Sequence, residues 1–438
     1  MRALVTAVLT LLALPLSAAN IRFDPPNPTS RTPVNAHIFV LSCGVESASV
    51  ARTGSIISVT VNSFEACVPE VFGRHDAVVD LGVLPAGVYD VVASPGNLLV
   101  AIAEAFLPVA DAAAPFRIEP NVFNSNVIGF PVRIVGSNLI KCAAGPAPVV
   151  CEDPAVKFGD AIAAVVSTAP DEIVVQPPQL PPGIVDVTLQ TATTSARAVA
   201  AFRYFSFSES PDRAFFEPIL FPVLYSGPGS FGSLWRTEVA MHNANPFPID
   251  QPRGALFGGG CFPICDGRPP AHTTLIAFGG NFSTGLVDYV TRLAAPNLHF
   301  SLIVRDLSRD TNDFGTSVPV VREREFFDRP FSLLNVPADP RYRLGLRLYT
   351  YEPIPAALTV RIISHTTGGV LAERNVFLGP VGDHAFAFIG DLLTEFPQIA
   401  GKGPLRIEIA PTQEGTLAWS YVSITNNETQ HVTVIAPE

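Results

Sequence analysis

Three carboxylates in one short loop come closest to forming a metal site. Asp306, Asp310 and Asp313 lie in the run RDLSRDTND and offer the hard oxygen ligands that Ca²⁺ prefers. Their spacing is not that of an EF-hand, and Arg305 and Arg309 are interleaved with them. A solvated hairpin loop stabilised by Asx turns is the favoured interpretation. Calcium binding stays open here, and we predict no metal site and no cofactor.

A glycine-rich stretch matches the spelling of a dinucleotide-binding motif. Gly227-Pro-Gly229-Ser-Phe-Gly232 satisfies G-x-G-x-x-G and follows the apolar run Ile219–Tyr225. That motif requires a helix after the glycines, because the helix N-terminus faces the pyrophosphate. The segment Trp235–His242 alternates like a strand instead. A glycine-rich connection between strands is therefore predicted.

The histidines give no preformed site. They are scattered, without H-x-H or H-E-x-x-H spacing: His37, His75, His242, His272, His299, His365, His384 and His431. The neighbours His75 and Asp76 invite a catalytic pairing, but a turn is the favoured interpretation. No G-x-S-x-G nucleophile elbow occurs. We predict no catalytic residue, although one sequence leaves open a triad assembled across the fold.

Six cysteines fall into three local pairs. We predict the disulfides Cys43–Cys67, Cys142–Cys151 and Cys261–Cys265. The alternative is a zinc site, but no CxxC…CxxC spacing is present. The second pair lies in an insert that we interpret as a pinned surface loop.

Three aromatic residues are candidates for a sugar-binding platform. Trp235, Trp419 and Tyr421 all lie in predicted strands. Such aromatics are more often part of a core. We predict core positions for them.

The N-terminus has the pattern of an export signal. Met1-Arg2 is followed by the apolar stretch Leu4–Leu16 and by small residues for cleavage, so residues 1–19 are predicted as a signal peptide. The apolar stretch is too short for a retained membrane span, and we predict no transmembrane segment in the mature chain. A secreted, periplasmic or cell-surface location is expected, in a bacterial host.

Composition excludes several classes of partner. The chain has 438 residues, a net charge of -11, 15% charged residues and a mean hydropathy of +0.33. The negative charge argues against nucleic acid, whose backbone demands a basic face. The length indicates two to four domains, and the hydropathy excludes a disordered polar chain.

One stretch of the chain resembles a known family. Residues 116–206 contain an Ile-x-Pro entry, a strand ending in Gly136-Ser-Asn138, a tip at Lys157-Phe-Gly159 and the turn Pro181-Pro-Gly183. This order resembles the IPT/TIG family of immunoglobulin-like β-domains. The resemblance implies an immunoglobulin-like sandwich. It says little about function, because such domains occur in surface receptors, transcription factors and polysaccharide-acting enzymes.

The rest of the chain reads as further β-sandwiches. We predict an all-β fold of tandem immunoglobulin-like sandwiches, with units at 20–112, 116–206, 214–325 and 326–438. The last two are predicted as repeats at an offset of 105 to 107 residues, and each contains a short helical pattern, Leu286–Leu293 and Leu392–Phe396. The matched segments are Trp235-Arg236 with Tyr342-Arg343, Pro246–Pro248 with Pro353–Pro355, Leu298–Val304 with Leu405–Ala410, and Phe314–Ser317 with Trp419–Val422.

Three functions are compatible with this pattern. The first is a non-enzymatic secreted or cell-surface protein that acts as a scaffold, adhesion or ligand-binding module, with an extracellular protein or glycan as partner. The second is an accessory carbohydrate-binding protein, which exposed aromatics on one sheet face would support. The third is a hydrolase with a site in the duplicated C-terminal half, which would need a cleft with convergent catalytic groups.

Overall fold

A computed structural model describes most of the chain. It covers residues 21–25, 28–42, 44–63, 73–95, 103–109, 116–125, 130–143, 150–192, 195–206, 211–249, 270–278, 281–308 and 314–437. Several predictions lie outside these residues: the signal peptide 1–19, the pairs Cys43–Cys67 and Cys261–Cys265, and Asp310 and Asp313. None of the helices in the described part of the chain has the length and hydropathy of a membrane span.

The first unit consists of two small sheets around one core. Its strands are β1 Ile21–Asp24, β2 Pro33–Ser42, β3 Val45–Thr53, β4 Ile56–Ser63, β5 Gly73–Val83, β6 Gly87–Pro95 and β7 Ala103–Val109. The sheet orders are β1-β2-β5 and β3-β4-β6-β7. Alternation along β2 turns Val34, Ala36 and Ile38 to one face, where each is fully buried. They share a core with Val59 of β4, so the two sheets pack face to face.

The second unit is also a two-sheet sandwich. Its strands are β8 Phe116–Glu119, β9 Val122–Asn124, β10 Val132–Gly136, β11 Cys142–Ala143, β12 Val150–Cys151, β13 Ala155–Phe158, β14 Ala161–Ile162, β15 Ala164–Ala169, β16 Glu172–Gln176, β17 Gly183–Gln190 and β18 Ser195–Phe205. The sheet orders are β15-β16-β10-β8 and β14-β13-β17-β18-β9. Phe158, Phe202 and Tyr204 form edge-on ring contacts in the core. The predicted Cys142–Cys151 disulfide is present and joins β11 to β12.

The third unit packs directly on the second, since the rings of Phe205 and Phe216 contact each other edge-on. Its strands are β19 Phe216–Phe221, β20 Leu224–Pro228, β21 Leu234–Asn243, β22 Thr273–Phe278, β23 Asn281–Phe282, β24 Leu286–Thr291, β25 Leu298–Asp306, β26 Thr316–Val318 and β27 Val321–Arg322, with 3-10 turns at Ser230–Gly232, Ala295–Asn297 and Glu323–Glu325. The sheet orders are β24-β19-β27 and β23-β20-β21-β25-β26, and β22 also pairs with β21. Every residue of β19 is buried, because both of its faces are covered.

The fourth unit is one eight-stranded sheet that folds around its own core. Its elements are β28 Phe331–Val336, β29 Tyr342–Thr350, β30 Ala356–Ser364, β31 Val370–Val381, β32 His384–Ile389, α1 Leu392–Glu395, a 3-10 turn Pro397–Ile399, β33 Leu405–Pro411, β34 Ala418–Asn426 and β35 Val432–Ile435. The order is β28-β33-β30-β31-β32-β29-β34-β35. Leu346 of β29 and Ile407 of β33 are buried in the same core. The all-β prediction is confirmed, and the four-unit division with its boundaries is our proposal.

The two predicted helical patterns had different outcomes. Leu392–Glu395 is helical, and the Asp391 carboxylate caps it by accepting from the backbone N–H of Leu393 at 3.2 Å. The Leu286–Leu293 prediction is wrong, because Leu286–Thr291 is strand β24 and pairs with β19. Five consecutive residues of β24 are buried, as in a strand covered on both faces rather than on a helix with one apolar side.

The first match of the predicted repeat, Trp235-Arg236 with Tyr342-Arg343, lies in β21 and β29 and agrees with the pairing order, but the last two matches are wrong. Leu298–Val304 lies in β25, which pairs with β21, whereas Leu405–Ala410 lies in β33, which pairs with β28 and β30. Pairing order indicates another correspondence: β21 lies between β22 and β25, as β29 lies between β32 and β34. Likewise β19 pairs with β24 as β28 pairs with β33. The matching failed because it assumed one constant offset.

The third and fourth units share a buried seam. Tyr349, Trp419 and Tyr421 belong to the fourth unit but are buried in the core of the third. The Tyr349 hydroxyl donates to the Pro222 carbonyl at 2.5 Å, and burial raises the pKa of Tyr349 well above its usual value, so this hydroxyl stays protonated. His384 Nε2 donates to the Thr284 carbonyl at 2.9 Å. The predicted tandem sandwiches are therefore fused through one aromatic core.

The titration of His384 determines how the stability of the seam should change with pH. Burial lowers the pKa of His384 below its usual 6.5, although the Thr284 carbonyl and the Asp383 carboxylate oppose the shift. The unfolded chain therefore takes up a proton at a pH at which the folded chain does not. Stability should be lost as pH falls from about 6.5 towards the folded-state pKa.

Urea unfolding at pH 7.5 and at pH 5.5 measures this loss. His384→Gln should flatten the pH dependence in that window, because the side chain no longer titrates. The exposed His272→Gln variant is the matched control and should keep the wild-type profile. A His384→Gln profile that is identical to wild type would contradict the assignment.

Candidate ligand-binding face

The predicted calcium loop begins with a capping carboxylate. Asp306 Oδ1 accepts from the backbone N–H of Leu234 at 2.8 Å and from that of Ser308 at 3.0 Å. The second contact is the predicted Asx turn. Among the described residues no group of three His, Cys, Asp or Glu side chains could hold a metal ion.

The glycine-rich stretch connects two strands, as predicted. β20 ends at Pro228, a 3-10 turn follows, and β21 begins at Leu234, so no α-helix faces the glycines. A Cβ built on Gly229 would lie 2.2 Å from Nε1 of Trp235. The glycine is therefore required for close packing of the indole rather than for a phosphate.

The structure does not bring the histidine and aromatic candidates together into a site. Asp76 pairs with His37 rather than with His75, at 2.7 Å between Oδ2 and Nδ1, across strands β5 and β2. Trp419 and Tyr421 are buried, in agreement with the core prediction. Trp235 is only half-buried.

One sheet face carries aromatic rings that remain in contact with solvent. Phe377 of β31 is 79% exposed and Phe388 of β32 is 49% exposed, and Phe386 lies half-buried beside them. Arg347 of β29 completes the group. We call these four residues the aromatic face. Exposed large apolar side chains grouped together are informative, because monomeric proteins rarely leave such patches uncovered.

Strand alternation explains why these residues share a face. On β29 Leu346 and Leu348 point into the core, so Arg347 between them points outward. Arg347 is the register partner of Phe388 on one side and of Tyr421 on the other. On β31, Leu378 is buried and Phe377 points away from it. The face therefore crosses strands β31, β32 and β29.

Arg347 is held between the rings. Its guanidinium carbon lies 4.6 Å from the ring centre of Phe388 and 5.7 Å from that of Phe386. One terminal nitrogen donates to the carbonyl of Ser283 in the third unit. The preceding residue, Phe282, is 43% exposed. The aromatic face thus continues the seam between the units out to solvent.

A glycine forms the floor beside Phe388. A Cβ built on Gly345 would lie 2.8 Å from Oγ of Ser423 and 3.1 Å from the Phe388 ring. Only hydrogen fits there, so the ring lies against the sheet. The geometry suits binding, because flat apolar surfaces lie next to a guanidinium whose N–H donors are only partly taken up by Ser283 and Tyr349.

Comparisons with known proteins agree with the sandwich assignment in the second unit. The family model of the IPT/TIG domain matches residues 117–204, which confirms the resemblance seen in the sequence. A comparison with curated proteins gave no match.

Three solved structures to which this chain is similar come from bacteria. SGBP-B from a complex xyloglucan utilization locus in Bacteroides uniformis is 11% identical, with coverage of 96% of this chain and 99% of that chain and a TM-score of 0.17. SGBP-B from the Bacteroides ovatus mixed-linkage glucan utilization locus, in complex with a mixed-linkage heptasaccharide, is 12% identical, with coverage of 78% and 85% and a TM-score of 0.18. InvD of Yersinia pseudotuberculosis is 9% identical, with coverage of 70% and 98% and a TM-score of 0.16.

Sequence reasoning missed the aromatic face. The signal was the strand His384-Ala-Phe386-Ala-Phe388, whose phenylalanines alternate with small residues and therefore lie on one side. Arg347 joins them through the pairing of β29 with β32, and Phe377 lies two residues along β31 from Gly379, the register partner of Phe386. Those pairings could not be read from one sequence.

Proposed function

We propose that this is an exported, non-enzymatic binding protein that holds a glycan on its aromatic face. The observation that carries the proposal is the exposure of Phe377 and Phe388 beside a guanidinium held in place by Ser283. The IPT/TIG domain and the all-β architecture support a role in binding. Export rests on the predicted signal peptide.

A glycan fits the chemistry of this face. The C–H faces of a pyranose ring are apolar and can pack flat on phenyl rings. Its hydroxyl groups can accept hydrogen bonds from the remaining N–H groups of Arg347. Because Phe388 rests on Gly345 and Arg347 is already positioned, little side-chain freedom is lost on binding.

The test is a glycan array followed by titration calorimetry on each positive glycan. Phe388→Ala should weaken binding about 30-fold, since truncation of an aromatic anchor typically costs about 2 kcal/mol. Phe106→Ala is the matched control, because Phe106 is 50% exposed and lies on the first unit. It should bind like wild type.

Two results would reject the proposal. One is silence across polysaccharide and host-glycan arrays by protein that is folded, and the other is equal affinity of Phe388→Ala and wild type. Release of reducing ends from a bound glycan would instead favour the hydrolase hypothesis.

A protein partner is the second candidate, and a different surface favours it. Strand β15 is an edge strand of the second unit, and its Val165 and Val166 are 39% and 62% exposed. Ile162 of the neighbouring edge strand β14 is 69% exposed. Edge strands with apolar side chains are templates for pairing with another chain. Cross-linking through Val166→Cys, which leaves glycan binding unchanged, would identify such a partner.

A further inference from the structure

A cleft lies where the first three units meet, whereas the aromatic face belongs to the fourth unit. It encloses about 460 Å³, within the range of small-molecule sites. Its wall is mostly apolar and is contributed by all three units: Pro28, Pro108, Phe116, Val199, Phe215 and Leu293. Sites for small ligands occur preferentially at such domain junctions.

One residue in the wall of the cleft has a strained backbone conformation. Ala200 has φ = +53°, a conformation that few residues other than glycine adopt. The Asp186 carboxylate holds it there by accepting from its backbone N–H at 2.8 Å. Residues kept in such conformations occur often at ligand sites, because the surrounding structure must maintain them. The strain therefore indicates that the shape of this wall matters.

Two polar groups in the cleft are left to bind a ligand. The Asn121 Oδ1 atom is buried and has no hydrogen-bond partner within the described part of the chain, whereas buried polar atoms are normally paired. Arg117 bonds Glu119 through Nε at 2.5 Å, and its side chain is 65% exposed. Its terminal nitrogens remain available, since the described residues show no other contact for them.

We propose that this cleft binds a small amphipathic organic anion. An apolar ring system or chain would fill the wall between Phe116 and Val199, and a donor group on it would pair with Asn121. Its carboxylate or sulfonate would lie at the guanidinium of Arg117, as charge-assisted bonds to arginine favour. The site is separate from the aromatic face and does not depend on glycan binding.

The dye 8-anilinonaphthalene-1-sulfonate tests this site, because it combines a naphthalene ring, an N–H donor and a sulfonate. The full-length mature protein should bind it saturably, with a rise in fluorescence. Val199→Trp should fill the cleft and weaken binding at least tenfold. Arg117→Gln should weaken it about fivefold, while the affinity for neutral N-phenyl-1-naphthylamine stays within twofold of wild type.

Phe388→Ala serves as the control for dye bound at the aromatic face, and it should leave the affinity unchanged. Unchanged melting curves establish that each variant is folded. Arg117→Gln changes an exposed side chain, so it tests the site even where Val199→Trp fails to fold. The proposal is overturned by unsaturable dye binding, by wild-type affinity in Arg117→Gln, or by loss of binding in Phe388→Ala.

Discussion

Tyr349→Ala should lower the free energy of unfolding by about 3–5 kcal/mol, as is typical when a fully buried aromatic ring is removed. The side chain has no exposed surface and contacts Trp419, Tyr421 and Phe386. The surrounding rings come from strands on both sides, so the cavity cannot close by a local shift. Urea unfolding followed by tryptophan fluorescence measures the change.

Tyr349→Phe separates packing from hydrogen bonding. It keeps the ring and removes only the hydroxyl that donates to Pro222. The carbonyl then loses its buried donor, which should cost about 1–3 kcal/mol. If the third and fourth units share one core, Tyr349→Ala should shift the unfolding of both together. A variant in which the third unit keeps its wild-type transition would contradict a shared core.

Much of the strand content and one domain could be predicted from the sequence. The alternating run Trp235–His242 predicted a strand, and it lies in β21 with every second residue buried from Thr237 on, since the period of two survives any tertiary context. The 116–206 unit was readable because its turns and strands occur in a fixed order, and Cys142–Cys151 because the pair is local. These features depend on neighbours in sequence.

Features that depend on contacts between residues far apart in the chain could not be predicted from the sequence. Leu286–Thr291 has apolar residues that fit a helix, and only its pairing with β19 makes it a strand. Trp419 and Tyr421 were expected at core positions, but the sequence did not show that they lie in the core of the preceding unit. The aromatic face likewise needs the register Arg347↔Phe388. Each case depends on a contact between residues that are far apart in the sequence.

Arg213→Ala should destabilise the protein by about 3–5 kcal/mol, because it removes a cation that lies beside a buried carboxylate. Arg213 Nη1 lies 3.5 Å from Oε1 of Glu352, whose side chain is 4% exposed. The guanidinium also covers the Tyr351 ring at 4.4 Å. These contacts join the segment that leads into the third unit to the fourth unit. Chemical unfolding at pH 7 is the measurement.

The double variant Arg213→Leu/Glu352→Leu distinguishes the loss of a buried ion pair from nonspecific destabilisation. Replacing both charges by apolar groups removes the desolvation cost of each, so the double variant should recover most of the stability lost in Arg213→Ala. Arg374→Ala is the exposed control: its partner Glu395 is 43% exposed, and such pairs contribute less than about 1 kcal/mol. Equal losses in Arg213→Ala and Arg374→Ala would refute a buried ionic link, since solvent would then screen both pairs alike.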